Sequence, residues 1–368
     1  METVILIEAL ISLADKNSLS RPFRLGIPVL DHVAGARFVR AKTFASLMKI
    51  VAPGAELVYG DEARKHACDA YLGWGMKPST RLALQLSRQY DKPLWRCEDS
   101  FVRSSRPVID PPLGLIVDDS GIYYDHKART RLEKLICCDL SPSELDRARK
   151  LIELWRNSLI SKYNYKPEST VPDGPYVLVI DQTYRDLSVT YGGAGQQTFD
   201  RMIKTALQLY PELKILVKSH PVSAEGLQII RNHGAWRPDV IYKPGYCQLS
   251  DRRNKRIEWE ISGGHPTSLI KHSEAVFVVT SQVGFEALIW GKPVHCFGSP
   301  FYSGWGLTID YGPVSDFRSS MSPISLEALV HAALIDYACY IDHSNFEQCK
   351  VEDLLLQLSV RRIQNHCP

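Results

Sequence analysis

The chain has 368 residues, of which 45% are hydrophobic and 23% are charged, and its formal net charge is +3. This composition is typical of a soluble globular protein and excludes disordered and fibrous chains, while the length favours two domains. The small net charge argues against a nucleic-acid partner bound through a basic surface.

Cysteine usage and the first apolar segment indicate the compartment. The nine cysteines include no CxxC pair, so neither a disulfide framework nor a zinc site is expected, and a reduced, cytoplasmic protein fits best. The apolar segment Thr3–Asp15 is too short to span a bilayer and lacks the features of a signal peptide. We expect it to form a helix or a strand.

Short β-rich runs alternate with helical patterns, and this order predicts parallel sheets with helices on their faces. In the first half, the pattern predicts strands Leu57–Tyr59 and Ala70–Gly73, helix Ser79–Gln89, strands Pro93–Cys97 and Leu115–Val117, and helix Ser141–Ser161. The last helix opens with the capping-box signature of Ser141 and Glu144. We interpret it as a bridge between two domains, residues 1–160 and residues 161–368.

The second half repeats the same scheme. It predicts strand Val177–Ile180, helix Gln196–Gln208, strands Lys214–Lys218 and Ala275–Thr280, helix Val283–Trp290, strand Pro293–Phe297 and a helical tail over Leu326–Gln364. Open parallel sheets bind ligands beyond the carboxyl ends of their strands. Polar residues that follow a predicted strand are therefore the candidate site residues.

In the first half, two such strand ends carry polar or aromatic side chains. The segment GWGMKPST places Trp74 and Lys77 after one strand, and the segment WRCEDSFVRSS places Glu98, Asp99 and Arg103 at the end of the next. A single Glu-Asp pair is usually a surface feature. Glycine-aromatic loops and several acid-bearing strand ends in one chain are more typical of a ligand site.

In the second half, YVLVIDQTYRDLSVTYGGAG ends a buried strand with Asp181 and follows it with Asp186. Asp186 precedes Leu-Ser in a predicted turn, where Ser188 or backbone amides can orient its carboxylate. The glycines Gly192–Gly195 are a weak dinucleotide signal that lies far from the strand end, so a hydride-transfer enzyme is rejected. Among other motifs, neither a GxxxxGK[ST] phosphate loop nor an HExxH metal site is present in the sequence.

Two later strand ends carry groups suited to an anion or a nucleotide. VKSHP places Lys218 and His220 at alternate positions, where they can neutralise a phosphate or protonate a leaving group, although a lone histidine is often structural. VVTSQVGFEAL offers Thr280, Ser281 and Gln282 as helix caps that turn amides toward an anion, and Glu286 as an acceptor for ribose hydroxyls. The alternatives are an ordinary cap and a surface glutamate.

Together these segments resemble the bacterial capsule β-Kdo transferases of the KpsC type and the related O-antigen modules, glycosyltransferase family 99. The matching segments cover about three-quarters of the chain in family order: GWGMKPS, EDSFVRS, PPLGLIVDDSGIYYD, LEKLI, SKYN, VLVIDQTYRDLSVTYGGAG, VKSHP, SLIKHSEAVFVVTSQVGFEAL and GKPVHCFGSPFYSGWGLT.

The resemblance implies a GT-B-like fold, two Rossmann-like domains facing across a cleft, with C-terminal helices. It implies a retaining transferase that moves Kdo from CMP-β-Kdo to a cell-surface glycan or glycolipid, without a cofactor or metal. Contact with the cytoplasmic face of the inner membrane is expected, because such acceptors are lipid-linked. The chain is either a whole protein or one module of a larger enzyme.

The resemblance also suggests residue roles. Asp186, rather than Asp181, is the expected nucleophile, Glu98 the general base, and His220 a further catalytic group. The expected donor contacts are Lys218, Ser281, Gln282, Glu286, Gln182 and Ser188, and the expected acceptor-side residues are Asp99, Arg103, Trp74 and Lys77. Two alternatives stay open: a GT-B transferase that uses another nucleotide sugar, and a non-catalytic module that binds a Kdo-bearing glycan.

Overall fold

The computed structural model describes residues 21–28, 39–103, 112–221, 245–247, 254–342 and 344–366. The predicted element at Thr3–Asp15 lies outside the described residues. The described chain forms two compact units: unit 1 holds the residues up to Tyr123, Ala128–Leu154 and Glu327–Arg362, and unit 2 holds the remainder, chiefly Trp155–Leu326. The division falls inside the predicted bridging helix. It differs from the predicted boundary because the C-terminal segment groups with the N-terminal part of the chain.

The strands are β1 Arg24–Ile27, β2 Glu56–Tyr59, β3 Ala70–Trp74, β4 Leu94–Asp99, β5 Gly114–Asp118, β6 Tyr176–Ile180, β7 Lys214–Lys218, β8 Ile257–Glu260, β9 Val276–Val278, β10 Val294–Cys296, β11 Ile309–Asp310, β12 Ala338–Ile341 and β13 Gln348–Cys349.

The helices are α1 Val39–Val51, α2 Gly60–Lys65, α3 Thr80–Tyr90, α4 Arg131–Ile136, α5 Pro142–Ser158, α6 Leu187–Tyr191, α7 Gln196–Leu209, α8 Thr267–His272, α9 Val283–Ile289, α10 Asp316–Ser319, α11 Leu326–Val330 and α12 Val351–His366, with a π-helical turn at His331–Asp336. In the described part of the chain, none of these helices combines the length and apolar character needed to cross a membrane.

Unit 1 is built on a mixed sheet of seven strands in the order β13-β12-β5-β4-β3-β1-β2. The four strands from β4 to β2 are parallel, whereas β5, β12 and β13 are joined by antiparallel pairings. Strands β3 and β4 are parallel neighbours, and Trp74 at the end of β3 lies opposite Cys97 of β4. Trp74 and Glu98 therefore come to neighbouring positions at the carboxyl ends of these two strands.

Unit 2 is built on a six-stranded sheet in the order β11-β10-β9-β6-β7-β8, in which every pairing is parallel. All five residues of β6 are buried, as expected for a continuous apolar run in the middle of a parallel sheet. On one face, β6 and β7 contribute Val177, Val179 and Val217 to a core shared with Phe199 and Met202 of α7. This core holds the ends of β6, β7 and β9 in fixed relation.

The predicted GT-B-like class, two α/β domains followed by C-terminal helices, is confirmed, and the predicted strands and helices before residue 326 are present with small shifts at their ends. The capping box is also confirmed, because Ser141 and Glu144 exchange backbone and side-chain hydrogen bonds.

The prediction of an all-helical tail is wrong. Residues 338–341 and 348–349 form β12 and β13, and β12 pairs with β5 of unit 1. The sequence pattern could not reveal this, because a four-residue strand between two helical patterns forms through its pairing with a distant strand.

Candidate active site

In unit 2, the carboxyl ends of β6, β7 and β9 lie side by side, because these strands are neighbours and parallel. The residues that follow them are Asp181, Ser219 and Val279. This edge therefore collects most of the residues that the sequence predicted as donor contacts.

Asp181 is a buried anchor, only 1% exposed. Its Oδ1 accepts hydrogen bonds from the backbone N–H groups of Gln182 (2.8 Å) and Cys247 (2.9 Å). A Cβ on Gly245 would stand 1.8 Å from Oδ2, so only glycine fits beside this carboxyl. Burial raises the pKa of Asp181 to about 6. The Asp181 carboxylate therefore holds residues 245–247 against the end of β6.

Asp186 is half-buried and caps α6, since its Oδ1 accepts a hydrogen bond from the backbone N–H of Ser188 at 2.9 Å. The structure thus confirms that Ser188 orients this carboxylate through its backbone. The preceding residue, Arg185, has a φ of +64°, a left-handed conformation that is costly for a residue with a side chain. Strain at this position points to a functional constraint on the turn.

Tyr246 supports this turn. Its hydroxyl accepts a hydrogen bond from the backbone N–H of Arg185 at 3.1 Å, and its ring stacks on Phe199 with centroids 4.4 Å apart. Tyr246 therefore links the core to the residue before Asp186. Sequence reasoning missed this positioning residue, because its partner lies 61 positions earlier and the surrounding segment carries no motif.

Gln182, Ser188 and Thr280 form a polar network between the ends of β6 and β9. The Gln182 amide contacts Thr280 Oγ1 (3.0 Å) and Ser188 Oγ (3.3 Å), and its oxygen accepts from the Thr280 backbone N–H (2.9 Å). A Cβ on Gly192 would lie 2.5 Å from Thr280 Cγ2, which explains the first glycine of the GGAG segment. The network fixes α6 against the strand ends.

Lys218 is 4% exposed and forms an ion pair with Glu260 at 3.0 Å. Its ammonium also donates to Ser169 Oγ at 3.3 Å, and burial lowers its pKa. The predicted role of Lys218 as a phosphate contact would require this ion pair to be shared or broken. His220, two residues later, is half-buried, and its predicted role as a catalytic group stays a prediction.

At the start of α9, Ser281 Oγ accepts a hydrogen bond from the Val283 backbone N–H at 3.3 Å, whereas the Gln282 side chain makes no capping bond and donates to Glu286 at 3.2 Å. Glu286 is 1% exposed and also accepts from the Lys162 backbone N–H. Burial raises its pKa to about 7. The alternative of a surface glutamate is therefore wrong, whereas the role of Glu286 as an acceptor for ribose hydroxyls stays a prediction.

The glycine-rich loop at residues 297–310 is a packed corner rather than an open loop. Phe301, Tyr302 and Trp305 are buried, and the Trp305 indole N–H donates to the Phe301 carbonyl at 2.8 Å. The Tyr302 hydroxyl donates to the Ser281 carbonyl. The loop thus supports the start of α9.

In unit 1, the four predicted acceptor-side residues and the predicted base Glu98 form two contact groups near the ends of β3 and β4. The Trp74 indole N–H donates to Glu98 Oε1 at 2.7 Å, and the Lys77 ammonium lies 5.1 Å from the Trp74 ring centre. Asp99 and Arg103 form an ion pair at 2.6 Å. Glu98 is half-buried and is held by a neutral donor. Its role as general base stays a prediction.

Among the described residues, no group of three or more His, Cys, Asp and Glu side chains is arranged to hold a metal ion.

This chain is similar in sequence to one protein family and to individual proteins. The family described as capsule polysaccharide biosynthesis protein matches residues 69–170 and 149–340. The capsule polysaccharide modification protein LipA of Neisseria meningitidis serogroup A is 34% identical over 314 residues, which cover 81% of this chain and 42% of LipA. The lipopolysaccharide-processing protein LpsZ of Rhizobium meliloti is 31% identical, with 80% of this chain and 64% of LpsZ covered. The chain thus spans less than half the length of LipA.

Two solved structures have the same fold. The β-Kdo 2,4 transferase of Thermosulfurimonas dismutans KpsC superposes with a TM-score of 0.78 at 31% identity, covering 94% of this chain and 99% of that one. The β-Kdo 2,7 transferase of the same KpsC gives a TM-score of 0.61 at 23% identity, covering 92% of this chain and 99% of that one.

Proposed function

We propose that this chain, which belongs to the capsule polysaccharide biosynthesis protein family, is a retaining β-Kdo transferase that uses CMP-β-Kdo as donor. The family resemblance inferred from the sequence is confirmed by these matches. The choice of Kdo as the transferred sugar is supported by the likeness to a KpsC β-Kdo 2,4 transferase over nearly its whole length.

The observation that carries the mechanism is the contrast between two acids of one segment. Asp181 is buried and fastened by two backbone N–H groups, whereas Asp186 is half-buried and has one oxygen held at a helix start. A nucleophile must reach a substrate atom while keeping a fixed orientation. Asp186 meets both requirements, and Asp181 meets only the second.

In the proposed reaction, a carboxylate oxygen of Asp186 attacks the ketosidic carbon of Kdo while the bond from that carbon to the phosphate oxygen breaks and CMP leaves. Glu98 then takes the proton of an acceptor hydroxyl, whose oxygen attacks the same carbon and releases Asp186. Two displacements retain the configuration. His220 and the polar residues at the end of β9 would meet the departing CMP phosphate, which is the only group that gains charge as it leaves.

The proposed acceptor is a cell-surface glycan or its glycolipid linker, with Trp74 and Lys77 beside Glu98 as contacts. A sugar face packs readily on an indole ring, and the neighbouring ammonium suits an acidic sugar. Peripheral contact with the inner membrane follows if that acceptor is lipid-linked.

Intact-protein mass spectrometry after incubation with CMP-Kdo generated in situ tests this proposal. We expect a Kdo adduct on the wild type and on Asp181→Asn, and none on Asp186→Asn, in which asparagine can still cap α6. An adduct that survives Asp186→Asn and is lost in Asp181→Asn would move the nucleophile to Asp181. If the wild type neither binds nor cleaves CMP-Kdo, the donor is another nucleotide sugar or the chain is a binding module.

A further inference from the structure

Unit 1 contains a cavity of about 200 Å³ whose lining includes none of the candidate site residues. Leu115 and Val117 of β5 form part of its wall, together with Leu334 of the π-helical turn and Val351 at the start of α12. Such a turn interrupts regular helix hydrogen bonding and is frequent at functional sites. The rest of the lining includes charged side chains of both signs, so the wall is mixed in polarity, with an irregular element on one side.

Arg131 is a buried charged group of this wall that has no ion-pair partner among the described residues. Arg131 lines the cavity and is 6% exposed. Its Nη2 donates to the carbonyl oxygens of Val117 (2.8 Å) and Tyr337 (3.1 Å), and its Nε–H has no partner among the described residues. The nearby carboxylate of Asp118 accepts instead from the backbone N–H of Arg131 at 3.0 Å.

Two other arginines of unit 1 each have an opposite charge beside them. Arg103 is paired with Asp99 at 2.6 Å, and Arg147, which lines the same cavity, is paired with Glu352 at 2.7 Å. A buried charge without an opposite charge is costly and is normally paired or bound to a ligand. A second buried polar group of the lining, the hydroxyl of Tyr340, also has no partner in the described structure.

We propose that this cavity binds a small amphipathic anion, with a carboxylate or phosphate group on the Arg131 guanidinium and a short apolar body against Leu115 and Leu334. Guanidinium groups bind both anions through charge-assisted hydrogen bonds. A dry cavity of about 150 Å³ accepts a benzene molecule, so the volume suits a body of that size or slightly larger. The ligand compensates the Arg131 charge, and the site is independent of the transfer reaction.

Isothermal titration calorimetry on the full chain with matched probes tests the site. We expect octanoate to bind at least about tenfold more tightly than 1-octanol, because only octanoate can form a charged hydrogen bond. The affinity for octyl phosphate compared with that for octanoate tells whether the natural head group is a phosphate or a carboxylate. Both compounds should bind more tightly than inorganic phosphate, which has no apolar body. Equal affinity for octanoate and 1-octanol, or no binding of either, would overturn the proposal.

Variants then locate the binding. Arg131→Met should lose the preference for octanoate over 1-octanol, whereas Arg149→Met, on an exposed arginine of α5, should keep it. Circular dichroism and thermal unfolding establish that each variant is folded. A folded Arg131→Met that still prefers octanoate would place the anion elsewhere and refute the site. If Arg131→Met does not fold, the affinities of the wild type for octanoate and 1-octanol still decide whether the cavity prefers an anion.

Discussion

The carboxyl edges of the two sheets use the same kinds of residue in different ways. At the edge of unit 2, Asp181, Lys218 and Glu286 are buried and bonded within the protein, whereas at the edge of unit 1, Trp74 and Glu98 stay half-buried and contact each other. Burial raises the pKa of both acids in unit 2, to about 6 for Asp181 and about 7 for Glu286. An acid after a strand is thus not by itself a reactive group.

The difference follows from how each edge is built. In unit 2 the loops that follow the strands carry the turn of Asp186 and the start of α9, and buried polar groups fasten these loops to the sheet. In a low-dielectric interior such bonds are strong, but the groups that make them are unavailable to a substrate. The reacting groups should therefore be sought among the half-buried side chains, Asp186 and Glu98.

The largest effect is expected for Asp186→Asn. Loss of the nucleophile should lower kcat by about 10³-fold or more, while asparagine preserves the cap of α6 and leaves the unfolding midpoint nearly unchanged. Steady-state kinetics with CMP-Kdo and thermal unfolding of the same sample measure both. A variant that keeps more than about a tenth of the wild-type kcat would exclude covalent catalysis by this residue.

A somewhat smaller loss is expected for Glu98→Gln. The amide oxygen can still accept from the Trp74 indole, so the contact at 2.7 Å is preserved while the base is removed. General-base catalysis is typically worth about 10²–10⁴-fold, and the loss should fall on kcat at the lower end of that range. The control, Trp74→Phe, removes the indole donor and keeps a smaller aromatic ring, and it should affect KM more than kcat. Unchanged kcat in Glu98→Gln would assign deprotonation to another group.

The buried acids of unit 2 predict a pH dependence of stability. The pKa of Glu286 rises from 4.5 to about 7 on folding, so between these values the folded state binds more protons than the unfolded state. Its contribution is present below pH 4.5 and is lost as the pH rises through about 7. The loss is on the order of 3 kcal/mol at most.

Glu286→Gln tests this sign. The free energy of unfolding of the wild type should fall more steeply from pH 5 to pH 8 than that of the variant, because glutamine does not ionise. Urea denaturation at several pH values measures it. Glu258→Gln, on an exposed partner of Lys214, should reproduce the wild-type slope. Parallel slopes for wild type and Glu286→Gln would contradict burial of this carboxyl.

The smallest effect is expected for Tyr246→Phe, which removes the hydroxyl that accepts from the Arg185 backbone N–H. We expect a loss of about 1 kcal/mol in unfolding free energy and a decrease of about tenfold in kcat with KM nearly unchanged, because the strained turn before Asp186 relaxes. The exposed neighbour Tyr184, changed to phenylalanine, is the control and should alter neither quantity. An equal effect of both substitutions would show that the contact does not position Asp186.

Local patterns in the sequence predicted much of the fold. A continuous apolar run identified β6, and the pair Ser141 and Glu144 located the start of α5. The same patterns placed Asp181, Lys218 and Ser281 at strand ends, because a strand's end is visible wherever its apolar run stops. The polar residues that follow a strand could thus be collected from the sequence alone.

The sequence by itself determined the succession of strands and helices, the family, and the candidates for the site, because each depends on residues close together in the chain. Only the tertiary structure decided which candidates are buried, as for Asp181 and Glu286, and that residues 338–341 complete the sheet of unit 1. It also brought Tyr246 to Arg185 and left Arg131 without an ion-pair partner in the described part of the chain. Burial and pairing arise from contacts between distant segments, which no local pattern encodes.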